Sequence, residues 1–265
     1  MFLFYRPVGY LPAGRYRVRV DATEVDRHIP FGTIFNFRDA GGYAGHDGRT
    51  VRRGRLYRSD SLHRLDEYDR DAFTALGIRT VIDLRRPHEV ERDGRVPDWP
   101  GLAYRHIHPE HAEWGEVPYE PGTSLARYLA DRYADLAQTG TAGLAEALGL
   151  IADSTNGPVV VHCVAGKDRT GIVCALTLAV LGVADDEIAA DYALSSAASQ
   201  RFSAWVAATA PADEELPPPF LASPSDTMLL FLAELREGYG SVEGYLRHAG
   251  VTDAQLAALR DHLLE

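Results

Sequence analysis

A run of valines leads through a short loop into an apolar stretch at residues 157–182, GPVVVHCVAGKDRTGIVCALTLAVLG. Unbroken β-branched residues are typical of a parallel strand that is buried on both faces. The stretch after the loop is apolar on every side and therefore predicts a buried helix rather than a surface one. A buried strand followed directly by a buried helix requires a layered α/β structure around both.

The rest of the chain carries the patterns that such a structure needs. A strand is predicted to end in LYRSD (56–60), and another is predicted in IRTVIDLRR (78–86). Apolar residues at helical spacing predict helices over 125–136 and 142–151, and residues 65–76 also read as a helix. We therefore predict an α/β fold in which helices flank a central, mostly parallel sheet.

The 265 residues are sufficient for a single domain with a full core, and we expect one domain over 1–265. An N-terminal hairpin extension is predicted within 1–30, because residues 16–20 alternate after a Pro-Ala-Gly turn signal. The part beyond about residue 185 is predicted to be helical, with Thr252 and Gln255 forming a capping box. A proline-rich break at 215–225 indicates a hinge or a helical lid within 195–240.

Composition and charge exclude several classes of protein. The net charge of −11 argues against nonspecific nucleic-acid binding, although a local basic pocket can still bind an anion. The sequence has no run of about 18 apolar residues and no signal-peptide pattern at its start. We expect a protein without a transmembrane segment that is cytoplasmic, or exported without a recognisable signal peptide. Its two cysteines are expected as free thiols.

Cys163 lies where the predicted strand ends, and Arg169 lies where the helix begins. A loop in this position directs its backbone N–H groups and the positive end of the helix into one concavity, which forms an anion site. The same field favours a thiolate at Cys163 and makes it a candidate nucleophile. Arg169 supplies a planar fork that can hold two phosphate oxygens. Thr170 is predicted to donate its hydroxyl to the sulfur, and His162 to brace the loop from behind.

Two simpler interpretations of this stretch are less favourable. A free cysteine is often only a small buried apolar residue, which is our interpretation of Cys174 inside the apolar helix. A nucleotide-binding loop would need glycine at Val161 and serine or threonine at Asp168, so Gly166 and Lys167 do not belong to one.

The motif HCVAGKDRTG resembles the active-site loop of cysteine-dependent phosphatases, and in particular the bacterial branch similar to mycobacterial protein tyrosine phosphatase B. From about residue 33 onward, further segments similar to that family follow in order: NFRDAGGY, GRLYRSD, LGIRTVIDLRRPHEVE, DDEIAADYALS and GSVEGYLRHAGVTDAQLAALR. The resemblance implies a tyrosine-phosphatase-like fold and a phosphate-monoester hydrolase that forms a phosphocysteine without metal or other cofactor. Phosphorylated proteins or phosphoinositides are the implied substrates, and inorganic phosphate is the product.

The resemblance also implies roles for the loop residues. Cys163 would attack phosphorus while Arg169 and the loop amides of four residues hold the developing charge: Val164, Ala165, Gly166 and Lys167. The leaving oxygen also needs a proton donor, and three aspartates compete for that role. Asp168 lies in the loop, where the family pattern places a functional aspartate. Asp83 ends the other strand and could instead pair with Arg85 or Arg58, whereas Asp98 lies in DWP, which reverses the Trp-Pro-Asp order of receptor-type enzymes.

Lys167 is the only lysine in a chain with 26 arginines. A point charge at this position is similar to that of phosphoinositide phosphatases, so we predict a cation at the rim of the pocket, with an ordinary solvated lysine as the alternative. His106, His108 and His111 in HIHPEH have metal-like spacing, but a metal site would also need ligands from other strands, and we predict none.

Two other functions use similar sequences. A phosphatase fold can capture phosphoproteins without turning them over, although the intact set of Cys163, Asp168 and Arg169 argues against that interpretation. A sulfurtransferase also carries its reactive cysteine in a loop. Thiosulfate turnover would distinguish it from an enzyme that releases phosphate.

Overall fold

The computed structural model describes residues 27–113, 117–120, 122–209 and 221–265. Within them, five strands form one sheet: β1 (Arg38–Asp39), β2 (Leu56–Ser59), β3 (Thr80–Asp83), β4 (Ala103–His106) and β5 (Val159–His162). Their order is β1-β2-β5-β3-β4, with β1 antiparallel to β2 and every other pair parallel. The predicted central, mostly parallel sheet is confirmed.

Helices cover both sides of the sheet. In the described part of the chain, the α-helices are α1 (Arg70–Ala75), α2 (Pro87–Asp93), α3 (Leu125–Thr139), α4 (Thr141–Ala152), α5 (Asp168–Val180), α6 (Asp185–Ala193), α7 (Ser195–Thr209), α8 (Ser225–Tyr239), α9 (Val242–His248) and α10 (Asp253–Leu263). Short 3₁₀ turns occur at His46–Gly48, Leu62–Arg64 and Ser154–Asn156. None of the helices described is long and apolar enough to cross a membrane.

Alternation along the strands divides the core between the two faces of the sheet. Val159 and Val161 face the larger cluster, which includes side chains of α3 to α6 and α8 to α10. Val160 between them faces a smaller cluster that includes Phe37, Phe73 and Trp99. A strand buried on both faces needs apolar residues at successive positions, which explains the valine run.

The central strand and the helix after it are almost completely buried. All four residues of β5 are buried, as are twelve of the thirteen residues of α5. β5 pairs with β2 and β3 so that His162 lies level with Ser59 on one side and with Asp83 on the other. The chain segments that follow these three residues therefore meet at the carboxyl edge of the sheet, where open α/β folds place their ligand sites.

The predicted helix over 65–76 is too long, because the helix starts only at Arg70. The carboxylate of Asp66 accepts hydrogen bonds from the amides of Tyr68 and Asp69 at 2.8 and 3.2 Å. Such a side-chain turn competes with helical backbone bonds, so the preceding residues form turns instead. The capping box is present as predicted: the Thr252 hydroxyl accepts from the Gln255 amide at 3.2 Å, and Gln255 Oε1 accepts from the Thr252 amide at 2.9 Å.

Two predictions concern the ends of the domain. The hairpin predicted for residues 2–20 lies outside the described residues, while His28 already forms a β-bridge with Arg38 at the sheet edge. The lid predicted for 195–240 has to be shortened, because Met228, Phe231 and Leu232 of α8 are fully buried in the core. The range in which a lid is still predicted is therefore 195–224, and residues 210–220 of this range are not among the described residues.

Candidate active site

The loop between β5 and α5 turns sharply at Gly166. This residue has φ of 64°, in the left-handed region that favours glycine. A Cβ atom there would lie 2.3 Å from the backbone oxygen of Ser59, closer than real side-chain contacts occur. The loop therefore packs directly on the backbone at the end of β2, and any larger residue at 166 would displace it.

The loop is held open by hydrogen bonds to three consecutive carbonyl groups. These bonds come from outside the loop: Val164 accepts from the Ser61 amide at 2.9 Å, Ala165 from Asn36 Nδ2 at 2.9 Å, and Gly166 from Arg58 Nη2 at 2.8 Å. In a trans peptide the N–H points away from the preceding C=O. The three following amides are therefore directed away from these partners, toward the concave side of the loop. The anion-binding nest predicted from the sequence needs loop amides in this orientation.

A cavity of about 300 Å³ opens on that concave side. The structure brings five of the predicted site residues to its wall: Cys163, Val164, Ala165, Asp168 and Arg169. Ala198 and Phe202 of α7, together with Leu221, form an apolar part of the wall. Charged and imidazole groups from 86–89 and 111–113 also line the cavity. The cavity therefore joins an anion site at the loop to an apolar surface large enough for an aromatic ring.

Arg169 extends from the first turn of α5 and is anchored by Glu89 of α2. Its Nη1 and Nη2 donate to the two oxygens of Glu89 at 2.6 and 3.1 Å, and Nη1 also donates to the carbonyl of Leu84 at 3.2 Å. Burial lowers the pKa of Arg169, but the negative charges of Cys163 and Glu89 outweigh burial and raise that pKa. The guanidinium is therefore charged and held in a defined plane beside Cys163.

Asp168 is the only one of the three aspartates considered as acids that lines the described cavity. Its Oδ1 accepts a hydrogen bond from the Tyr133 hydroxyl at 2.6 Å, and its carboxyl lies 3.5 Å from Lys167 Nζ. Asp98 lies elsewhere, with its side chain 88% exposed and 3.8 Å from Arg95. The structure thus favours Asp168 over Asp98 as the carboxyl group that a bound ester would meet.

Asp83 does not reach the cavity, so its proposed role as an acid is wrong. It is fully buried and accepts two hydrogen bonds from Arg85 Nε and Nη2 at 2.9 and 2.7 Å, and one from the Tyr104 hydroxyl at 2.9 Å. Burial raises the pKa of Asp83, but the hydrogen bonds and the charge of Arg85 outweigh burial and hold that pKa well below its ordinary value. A permanently ionised, paired carboxylate cannot donate a proton. Of the two partners predicted from the sequence, Arg85 is the one observed.

His162 lies between Asp83 and the loop, where the sequence placed it. Its Nδ1 is 3.1 Å from the Cys163 carbonyl, and its Nε2 is 3.6 Å from Asp83. Burial lowers the pKa of His162, so the ring is neutral at physiological pH. Asp83 and His162 therefore support the loop from the side of the sheet rather than contacting a ligand.

Lys167 does not lie at the rim of the cavity, so that prediction is wrong. The side chain is fully buried, and its Nζ donates to the Ala222 carbonyl at 3.0 Å. The left-handed turn at Gly166 comes immediately before Lys167, whose side chain is enclosed by the protein and does not line the cavity. Both the rim cation and the solvated lysine considered as its alternative are therefore excluded.

Two further predictions concern residues on α5. The Thr170 hydroxyl is buried in the first turn of the helix and makes no hydrogen bond to any described residue, so the predicted bond to the Cys163 sulfur is absent. Cys174 is buried farther along α5 and does not line the cavity. Burial raises the pKa of the Cys174 thiol to about 11, which keeps it protonated and unreactive.

The three histidines of HIHPEH lie in different surroundings in the structure. Among the described residues, no group of three or more His, Cys, Asp or Glu side chains could hold a metal ion. His106 instead lies 2.8 Å from the Arg85 carbonyl, while His111 lines the cavity. Burial, followed by the charges of Arg169 and Arg86, lowers the pKa of His111 to about 3. His111 is therefore neutral and cannot act as an acid near pH 7.

Several residues at the site received no role from the sequence. Asn36, Arg58 and Ser61 brace the loop. Asn36 belongs to NFRDAGGY and Arg58 to GRLYRSD, segments noted only for their resemblance, and Ser61 directly follows the second segment. Arg58 Nη1 also donates to Asp191 at 2.6 Å, and Arg38 Nε donates to the same carboxylate at 3.0 Å. All three of these charged side chains are almost completely buried, so the loop rests on a paired ionic cluster. Charged residues inside otherwise apolar strand patterns are the signal that could have identified them.

Comparison with known proteins gives this site its context. The sequence model of the tyrosine phosphatase family matches residues 29–265. The chain belongs to this family. It is therefore a phosphoric monoester hydrolase by membership, and the family and enzyme class predicted from the sequence are confirmed. The match begins after the N-terminal residues for which no resemblance was found.

Individual relatives agree with this assignment. The triple specificity protein phosphatase PtpB of Mycobacterium tuberculosis is 33% identical over 270 residues, covering 87% of this chain and 96% of its own. A tyrosine-protein phosphatase of Nostoc commune is 29% identical over 217 residues, which cover 78% of this chain and 73% of the relative. Among solved structures, P. aeruginosa TpbA shares 14% identity and a TM-score of 0.35, over 78% of this chain and 96% of that one.

Proposed function

We propose that this phosphatase cleaves phosphotyrosine esters through a covalent phosphocysteine formed on Cys163. The proposal rests above all on the three loop carbonyls that are held from outside, because this arrangement turns the loop amides toward the space between Cys163 and Arg169. A phosphoryl group there would meet a nucleophile, a nest of N–H donors and a charged guanidinium at once.

The proposed reaction proceeds in two displacements. The Cys163 thiolate attacks phosphorus, the sulfur–phosphorus bond forms as the ester bond breaks, and Asp168 gives its proton to the leaving oxygen. Water then attacks the phosphocysteine, returns one proton to Asp168, and displaces the thiolate as inorganic phosphate leaves. Arg169 and the loop amides hold the equatorial oxygens in both steps.

The shape and chemistry of the cavity support an aryl phosphate as substrate. Ala198, Phe202 and Leu221 provide apolar contacts beside the loop, and a ring is stabilised by burial against such a surface. The name of the mycobacterial relative, a triple specificity protein phosphatase, extends the proposal to phosphoserine and phosphothreonine. Phosphoinositides carry the same scissile group and belong to the proposed substrates as the class that most needs a direct test.

The position of Lys167 changes what its removal should do. Because its ammonium group is buried, bonded to the Ala222 carbonyl and 3.5 Å from the Asp168 carboxyl, Lys167→Ala should weaken the whole anion site rather than one class of substrate. We expect kcat/KM to fall by a similar factor, about tenfold, for a phosphotyrosine peptide and for a phosphoinositide assayed side by side. A loss confined to the phosphoinositide would show instead that Lys167 contacts the headgroup. Wild-type enzyme that releases no phosphate from any phosphoinositide would remove that class from the proposal.

The role of Asp168 provides the test of the proposed mechanism. An alkyl phosphate needs a proton on its leaving oxygen, whereas p-nitrophenyl phosphate hardly needs one. Asp168→Asn should therefore slow the alkyl ester by roughly 10²- to 10³-fold and the activated aryl ester by about tenfold or less. Asp98→Asn is the matched control, since that exposed carboxylate lies away from the cavity, and both rates should stay near wild type. Equal losses on the two esters in Asp168→Asn would refute the assignment.

A further inference from the structure

Asp168 is held from inside the protein by a chain of two tyrosine hydroxyls. The Tyr133 hydroxyl of α3 donates to Asp168 Oδ1 at 2.6 Å. The Tyr192 hydroxyl of α6 lies 2.7 Å from the Tyr133 hydroxyl. Both rings are almost completely buried, at 0% and 1% exposure, so bulk water does not compete for these bonds.

The direction of the two bonds follows from the number of hydrogens. A phenol carries one hydrogen, and Tyr133 gives its hydrogen to the carboxylate, so the hydrogen between the rings must belong to Tyr192. Burial, and next the charge of Asp168, raise the pKa of both Tyr133 and Tyr192 well above the ordinary value. Both hydroxyls therefore keep their hydrogens and remain donors.

The packing of the Tyr133 ring allows the role of its hydroxyl to be tested apart from the role of the ring. The Tyr133 ring makes edge contacts with Tyr192 and Phe231, with both centroids 6.0 Å away. A phenylalanine at 133 would keep these contacts and remove only the hydroxyl. The hydroxyl itself reaches Asp168, a carboxyl group that lines the cavity at the start of α5.

We propose that Tyr133 is a positioning residue for the proton-transfer step, with Tyr192 as the second link of its hydrogen-bond chain. This inference rests on the proposed function, in which Asp168 is the acid. When Asp168 transfers its proton to the leaving oxygen, the ester bond breaks and a carboxylate is left in a nearly buried position. The Tyr133 hydrogen bond stabilises that carboxylate and holds the plane of the carboxyl group. Tyr133 does not contact the substrate itself.

Other charged and titratable groups also face Asp168. Lys167 Nζ lies 3.5 Å from its carboxyl, and Arg169 and Cys163 adjoin it on the loop and the cavity wall. These groups remain in place when the Tyr133 hydroxyl is removed. A change caused by that removal can therefore be assigned to the hydrogen bond.

The test is Tyr133→Phe, assayed with an alkyl phosphate and with p-nitrophenyl phosphate across pH. Loss of a donor to the ionised carboxyl favours its protonated form, so the basic limb of the kcat profile should move to higher pH by about one unit. The weaker acid should also lower kcat for the alkyl ester about tenfold, with KM nearly unchanged and a smaller change on the activated ester. Tyr192→Phe should shift the same limb in the same direction by a smaller amount.

Tyr245→Phe is the matched control. Tyr245 of α9 is also fully buried. Its hydroxyl donates at 2.8 Å to the carbonyl of Ala137 on α3, the helix that carries Tyr133, and not to Asp168. The Tyr245→Phe variant should leave the basic limb of the kcat profile and the ratio of the two ester rates at wild-type values. Thermal unfolding is followed for every variant. An unmoved limb together with equal losses on both esters in Tyr133→Phe would overturn the inference.

The outcome for Asp168→Asn separates this inference from the proposed function. If Asp168→Asn is selective for the poor leaving group and Tyr133→Phe is not, only the positioning role fails. If Asp168→Asn itself lacks that selectivity, Asp168 is not the acid, and both the acid assignment and the positioning role fail.

Discussion

Replacing Cys163 with serine is expected to abolish hydrolysis of p-nitrophenyl phosphate, with a loss of about 10⁴-fold or more. A serine hydroxyl at this position stays protonated near neutral pH and is a far weaker nucleophile than the sulfur that it replaces. Steady-state release of p-nitrophenol measures the effect. Binding of a phosphotyrosine peptide to the variant should persist, because the amides and Arg169 remain in place.

The matched control is the other cysteine. Cys174 is buried inside α5 and does not line the cavity, so Cys174→Ala should keep the rate within about threefold of wild type. We also expect vanadate to inhibit the wild type and a chelator to leave its rate unchanged, because the proposed mechanism uses a sulfur nucleophile and no metal. Substantial turnover by Cys163→Ser would contradict the mechanism. Thiosulfate turnover without phosphate release would support the sulfurtransferase instead.

Arg169→Lys is expected to lower kcat/KM by roughly 10³-fold on any phosphate monoester. Lysine keeps the positive charge but replaces a planar fork by a single point, so it cannot bond Glu89 and two phosphate oxygens in fixed geometry. The loss should appear on activated and unactivated esters alike, because the developing charge on the phosphoryl oxygens is common to both. That pattern distinguishes Arg169 from Asp168.

Arg92→Lys provides the control for this exchange. Arg92 lies on α2 with its side chain 67% exposed, and it makes a comparable two-pronged contact with Asp93 at 2.7 and 2.9 Å. Since it does not line the cavity, the control should retain wild-type kinetics. A loss below tenfold in Arg169→Lys, with the fold intact by circular dichroism, would show that the guanidinium fork is not needed.

The elements next to the loop could be predicted because their causes are local. A run of β-branched residues, a glycine that permits a left-handed turn and an apolar helix are all contiguous in residues 157–182. Helix α3 was predicted for the same kind of reason, since its apolar residues recur at helical spacing. The start of α1 was missed because the side-chain bonds of Asp66 replace helical backbone bonds, which spacing alone does not reveal.

Choices between similar residues required the three-dimensional arrangement. Asp83 and Asp168 both lie near the ends of central elements, and the sequence left them as competitors. The strand register decided between them, because Asp83 lies level with His162, inside the sheet and paired with Arg85, whereas Asp168 begins α5 at the cavity. The sequence predicts Lys167 at the rim because its neighbours are the predicted phosphate-binding residues, but the side chain is fully buried and bonded to the Ala222 carbonyl.

The sequence by itself determined the fold class, the family and the closely spaced set of Cys163, Asp168 and Arg169, because these follow from short-range patterns along the chain. Only the tertiary structure decided what holds that set in place. Asn36, Arg58, Tyr133 and Asp191 each contact a partner that lies 35 to 133 residues away along the chain. Which residues make these contacts depends on how the sheet and the helices pack, because a buried hydrogen-bond donor meets its partner only when the chain folds.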